Sequence, residues 1–267
     1  RNEVAAAWNV PVTSLPTQAG RDLDGILANA DQYAAAVVGA FDPNDTVNPA
    51  QALAALDAIP FIVSLEQRVS AVTEIADVVL PVAPVAEKAG TFIDWEGRAR
   101  GFQQALKNAS AMTDARVLGM VADAMDVLLG GQNVNDLRGE ITSLGAWTGA
   151  RVAAPSVAAT AVQGVTLATW NQLIDNGSLQ DGEPYLAATA RPVVAYLSQN
   201  TANGIGVNTG DVVKVSTAAG SIEAPVVITV MADNTVWLPT NNEGSEVRAT
   251  LHAAHGSSVN ISRGGAA

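Results

Sequence analysis

Ile59-Pro60-Phe61-Ile62-Val63-Ser64-Leu65 and, further on, Asp77-Val78-Val79-Leu80-Pro81-Val82 are two short runs in which apolar side chains follow one another almost without interruption. A half-buried strand alternates polar and apolar residues, whereas a strand covered on both faces reads as a continuous apolar run. Tyr33–Phe41 has the same character and leads into Asp42-Pro43-Asn44-Asp45, a loop by its turn residues. Helical stretches over Asp22–Asn29 and Pro49–Leu56 separate these runs. Strands alternating with helices predict a parallel, Rossmann-like sheet covered on both faces.

Beyond Pro84 the pattern changes. Glu87–Arg100 is polar, carries two glycines and reads as an irregular extended segment. Arg116–Leu129 reads as a helix with Val117, Met120, Val121, Ala124 and Leu128 on one face, stopped by Gly130-Gly131. Val134, Leu137, Ile141 and Leu144 stripe a second helix that ends at Gly145. Alanine-rich Thr148–Val165 lacks periodicity and reads as a linker, followed by a helix over Leu167–Ile174. From Pro184 the chain is β-rich, with strands at Val193–Leu197, Val212–Ser216, Ile222–Val230 and Val236–Leu238 and turns at Ala219-Gly220 and Asp233-Asn234. Short strands with glycine corners predict a small closed barrel. The resulting division is an α/β domain over 1–147, a linker with one helix over 148–183 and a barrel over 184–267.

The composition excludes several classes of function. With 26 acidic against 14 basic residues, the net charge is −12, and no lysine–arginine stripe exists to displace counterions from a nucleic acid. Anionic lipid would repel such a surface, so a partner protein would have to hold the chain near a membrane. There is no cysteine, which removes disulfides, thiolate nucleophiles and all-cysteine iron–sulfur clusters from these residues. Opening on Arg1-Asn2-Glu3-Val4, with no Met and no apolar leader, the chain reads as a soluble, cytoplasmic piece of a longer protein.

Three constellations invite a chemical reading. Gly204, Gly206 and Gly210 have a loop-like spacing, but the segment leads into a strand. A phosphate-cradling loop opens onto a helix N-terminus, so these read as turn glycines. His252 and His255 are spaced for one helical face, yet no carboxylate motif completes a metal site, and they read as surface residues. Glu87-Lys88 with Asp94-Trp95-Glu96-Gly97-Arg98-Ala99-Arg100 is the densest charged and aromatic cluster. It admits two readings: an arginine–tryptophan interface anchor, or charges paired locally to hold a crossover. Charges this close together in sequence more often pair locally, so local pairing is the favoured reading.

The stretch Asp77-Val78-Val79-Leu80-Pro81 followed by Glu87-Lys88-Ala89-Gly90-Thr91-Phe92-Ile93-Asp94-Trp95-Glu96-Gly97-Arg98 resembles a recurrent motif of the molybdopterin oxidoreductases. In its EKAGTF and EGR forms it is most similar to the large iron–sulfur subunit (the G subunit) of bacterial NADH:quinone oxidoreductase, respiratory complex I. Asp94 stands where that family usually has Asn, which puts any amide contact there in doubt. Gly206–Ile222, with Gly210-Asp211-Val212-Val213-Lys214-Val215, resembles the molybdopterin-dinucleotide-binding domain, a double-psi β-barrel in that family.

This resemblance implies a C-terminal scaffold region in an electron-transfer assembly. Electrons would pass from NADH to quinone through iron–sulfur clusters held elsewhere, and the partners would be other subunits of the peripheral arm. It implies no catalytic, metal or cofactor-binding residue within the fragment, in a protein peripheral to the plasma membrane. Glu87, Lys88, Trp95, Glu96, Arg98 and Arg100 are then the candidates for crossover-holding or interface contacts. Two alternatives stand beside it: the cofactor-binding part of an active molybdenum oxidoreductase such as a formate dehydrogenase, and a free-standing barrel that binds a small ligand.

Overall fold

The computed structural model describes residues 1–267 apart from 108–110, 151–152, 154–163 and 266–267. Two compact units emerge, one of residues 1–42 and 54–154, the other of residues 43–53 and 155–267.

In the first unit, α1 (Asn2–Ala7) and α2 (Leu23–Leu27) precede β1 (Ala36–Gly39). After α3 (Pro49–Asp57) come β2 (Ile62–Glu66), α4 (Ala71–Ile75) and β3 (Val78–Pro81). The three strands form a parallel sheet in the order β1-β2-β3. Side-chain oxygens start the helices: Asp22 Oδ1 accepts from the Gly25 amide, and Ser70 and Thr73 cap each other's backbone in a capping box. Leu56, Ile59, Ile62 and Val72 form the core beside the sheet.

The parallel sheet is thus present, but its cover is not as predicted. β2 is largely buried, whereas β1 alternates between half-buried and exposed positions and most of β3 is exposed. An outer strand of a three-stranded sheet has a neighbour on one side only, so its apolar residues lie partly in solvent.

Glu87–Arg100 is not irregular. β4 (Gly90–Ile93) and β5 (Ala99–Phe102) pair as an antiparallel hairpin in the register Gly90↔Phe102 to Ile93↔Ala99. The Phe92 and Phe102 rings stack at 4.7 Å. α5 (Asp114–Ala124) begins at a Thr113 cap and stops at Met125, well short of the glycine pair. Asp126 takes φ +57°, and the Val127 amide turns back to the Ala122 carbonyl, so an aspartate in the left-handed region ends the helix first. α6 (Val134–Ser143) ends as expected, with Gly145 at φ +68°. Most of the alanine-rich linker lies outside the described residues.

The second unit opens with a correction. Leu167–Ile174 is not a helix: β6 (Val165–Trp170) is a barrel strand, so the barrel begins there and not at residue 184. Trp170 and Leu173, half of the supposed apolar stripe, are exposed, while Leu167 and Thr169 alternate inward. After α7 (Pro184–Ala187) follow β7 (Ala195–Leu197), α8 (Gln199–Ile205), β8 (Val212–Ser216), β9 (Ser221–Ile228) and β10 (Thr235–Pro239). The short pair β11 (Asn241–Asn242) and β12 (Ser245–Glu246) leads into α9 (Val247–Leu251) and β13 (Ser258–Arg263).

Closure runs β10-β6-β13-β8-β9-β7 and back to β10, with β10·β6 and β7·β9 parallel and the other pairs antiparallel. This closed, mixed-direction barrel fits the double-psi barrel expected. Inward residues alternate along β9 as Ile222, Ala224 and Val226, but the strand stops at Ile228 and Val230 is fully exposed. Leu167, Leu197, Val213, Val215, Val236, Leu238 and Val247 have no exposed surface, so the barrel interior is packed aliphatic side chain.

Candidate functional site

Within the first unit, the six sequence candidates gather around the β4–β5 hairpin. Asp94 builds its turn: one carboxylate oxygen accepts from the Glu96 amide at 3.0 Å and the Arg98 amide at 2.8 Å. Gly97, at φ +81°, supplies the left-handed position that the turn requires. Asparagine could offer the same side-chain oxygen, so the Asp at this position keeps the turn. It also places a negative charge 3.5 Å from Arg100.

Lys88 pairs with Asp114 at 2.5 Å, tying the start of the hairpin to the first turn of α5. Arg98 pairs with Glu96 at 2.7 Å on the exposed turn. Glu87 lies on a short 3-10 turn, its amide bonded to the Pro84 carbonyl. Trp95 is 94% exposed at the tip.

Sequence reasoning missed Arg138, whose guanidinium donates to the Gly90 carbonyl at 2.6 Å and the Thr91 hydroxyl at 3.1 Å. Its separation from the hairpin in sequence left no local signal.

The second unit has a cavity of about 580 Å³ lined by Thr169, Trp170, Asn171, Thr240, Arg248 and His255, with Ala253 and Ala254. Parallel β6 and β10 bring Thr169 and Thr240 together, and their hydroxyls bond at 2.8 Å. The Thr169 amide donates to His255 Nδ1 at 3.2 Å. In that bond Nδ1 is the acceptor. His255 is exposed, as predicted, but it also belongs to this lining. His252 is the left-handed cap of α9 and does not line the cavity.

Arg248 Nη1 donates to the Asp45 carbonyl at 2.8 Å and the Asn44 carbonyl at 3.4 Å, with the Asp45 carboxylate at 3.8 Å. Among the described residues no group of three or more His, Asp or Glu side chains is placed to hold a metal. Two of the three glycines behave as turn residues, Gly206 capping α8 in the left-handed conformation and Gly210 at φ +94°, whereas Gly204 lies inside α8 and not in a turn.

Titration is perturbed at Asp233. The Ser198 hydroxyl, 2.5 Å away, and the Asn200 amide, 2.9 Å away, hold its carboxyl below the ordinary aspartate range, against a smaller opposing effect of desolvation.

Two family models match the chain. Residues 27–117 match the molybdopterin oxidoreductase model and residues 166–262 the molydopterin dinucleotide binding domain. The chain is 48% identical over 274 residues to the G subunit of NADH-quinone oxidoreductase from Mycobacterium bovis, covering 99% of this chain and 34% of that protein. It is 45% identical over 273 residues to the corresponding G subunit from Streptomyces coelicolor, covering 98% and 32%. Among solved structures it is similar to acetylene hydratase from Pelobacter acetylenicus, with a TM-score of 0.52 and 16% identity over 86% of this chain and 42% of that one. At that identity the likeness concerns the fold alone. No helix among the described residues is long and apolar enough to cross a membrane.

Proposed function

Because the chain belongs to the family of the NADH-quinone oxidoreductase G subunit, on a molybdopterin-oxidoreductase fold, and spans about a third of the length of the curated relatives it matches, we propose that it is a scaffold region of that subunit. In this reading the NADH-to-quinone electron path runs through clusters outside these residues. The region packs against other subunits of the peripheral arm and braces the cluster-bearing part.

Arg248 is the observation that carries this reading. A pterin dinucleotide brings a pyrophosphate, whose charge calls for cations or clustered N–H donors. Arg248 is the only permanently cationic side chain among the described residues lining the 580 Å³ cavity. Its Nη1 is already committed to two backbone carbonyls, and the Asp45 carboxylate lies beside it. Asp45 and Glu246 line the small neighbouring cavity and add negative charge. In this reading these residues do not hold the dinucleotide, and no reaction step is assigned to them.

In the first unit, Lys88, Arg100 and the Glu96–Arg98 pair are assigned to holding the hairpin. Glu87 and exposed Trp95 are assigned to its outward surface.

The test is the molybdenum and tungsten content of the natively purified full-length parent, by elemental mass spectrometry, together with oxidised-pterin fluorescence. The expected result is neither metal nor pterin, with NADH dehydrogenase subunits co-purifying. One metal and pterin per chain would overturn the reading.

A further inference from the structure

Three buried side-chain oxygens of the described residues have no hydrogen-bond partner: Gln172 Oε1, Gln180 Oε1 and Asn242 Oδ1. All belong to the β6–β7 connection or to β11, the strand that holds it. The Asn176 amide donates to the Asn241 carbonyl at 2.8 Å, and Asn242 Nδ2 donates to the Ile174 carbonyl at 3.1 Å. Asn242 is 4% exposed, and it lines a 270 Å³ cavity shared with Asp175, Arg191 and Glu243. An adjoining cavity of 410 Å³ shares Asp175 and Asn176 with it and adds Gln180, Asp181 and Glu183.

The chemistry of this lining is one-sided. Two orphan acceptors and the carboxylates of Asp175, Asp181, Glu183 and Glu243 stand against the single guanidinium of Arg191, although Asp175 and Glu183 also accept from backbone amides of their own connection. A buried acceptor without a donor is costly, so the arrangement calls for a donor-rich cation. Around it the same connection presents Leu173 at 95% exposure and Leu179 at 97%, with exposed Tyr185 beyond. A free hydrophilic cation would leave those side chains in water, whereas an amphipathic polypeptide would cover them.

We propose that the β6–β7 connection is a docking surface for a basic segment of another protein of the assembly, with an arginine of that partner entering the cavity below Asn242. Arginine fits better than lysine because its planar fork presents five N–H donors in fixed geometry to a lining rich in acceptors. This rests on the scaffold reading, since it requires an assembly in which the chain sits.

The test places the photocrosslinker p-benzoylphenylalanine at Leu179 in the full-length protein within its native complex, then sequences the captured peptide. The expected capture is a segment of another subunit carrying arginine beside apolar residues. Glu243→Arg should then lower the crosslink yield about tenfold, because it sets like charges against each other. Capture of a segment without a basic residue, no capture in an intact complex, or a yield unchanged by Glu243→Arg would each overturn the inference. An intact complex without the crosslink removes only the docking surface. A full-length protein that co-purifies with no NADH dehydrogenase subunit removes the scaffold reading and the docking surface with it.

Discussion

Asp77 and Ile62 are joined twice. The Ile62 amide donates to the Asp77 carboxylate at 2.7 Å, and the Asp77 amide donates to the Ile62 carbonyl at 2.9 Å. The pair lies where β2 and β3 begin, and the register Val63↔Val78 to Glu66↔Pro81 follows from it. Ile62 and Leu65 leave β2 on opposite faces and fill different core clusters, so a slip by one residue would turn each away from the cluster it fills, and the carboxylate works as a register pin.

Removing that pin with Asp77→Ala should cost about 1–3 kcal/mol, the usual consequence of leaving a partly buried backbone donor unpaired. Asp77→Asn keeps an acceptor oxygen and should cost clearly less. Denaturant unfolding of both variants checks this, and equal losses would remove the hydrogen bond as the cause.

A pair of glycines should respond in opposite directions. A Cβ at Gly220 would lie 2.5 Å from the Thr250 carbonyl oxygen, a backbone atom that cannot swing aside, so Gly220→Ala should destabilise by about 1–3 kcal/mol. Gly204, inside α8, has open space where its Cβ would be, and Gly204→Ala should stabilise by about 0.5–1 kcal/mol. Thermal unfolding compares the two directly.

Asp233 should make the barrel acid-sensitive. Its folded-state pKa is depressed, so its stabilising effect is present above the unfolded value and disappears as pH falls through the folded one. The stability gap between the parent chain and Asp233→Asn should therefore be constant near neutrality and close below about pH 4. A gap that persists undiminished in strong acid would show that the Ser198 and Asn200 bonds do not depend on the charge.

Arg138→Ala should loosen the β4–β5 hairpin by about 1 kcal/mol through loss of the bonds to Gly90 and Thr91. Faster amide hydrogen exchange in 90–93, with 62–66 unchanged, is the expected signature. Trp95→Ala, at the exposed tip, should leave both segments as they are.

Periodicity made much of this architecture legible before any coordinates. The apolar run of β2 and the alternation of β9 mark strands whose side chains face a core, and that demand is written locally; the run of β3 marks a strand too, although most of it is exposed. β6 escaped because Leu167, Trp170, Leu173 and Ile174 happen to fall at helical spacing, while its strand character comes from pairing with β10 and β13. The hairpin escaped because an Asp94 turn and a Gly90–Phe102 pair leave no alternating pattern in so short a stretch. The cavity lining was out of reach for a plainer reason. Thr169, Thr240 and Arg248 are scattered along the chain, and Arg248 reaches Asp45 across 203 positions. The acceptor-rich cavities likewise arise only when β11 pulls the β6–β7 connection down onto Asn242.

Barrel closure also sets a timetable. β8 and β9 are joined by a tight turn and can pair as soon as both exist. β6 has to wait for Thr235–Pro239 and then for Ser258–Arg263 before either of its edges is satisfied. During synthesis Val165–Trp170 therefore leaves the ribosome as a strand without neighbours. Because long-range pairing is slow to nucleate, that interval is when the chain is most open to chaperones and to pairing with strangers.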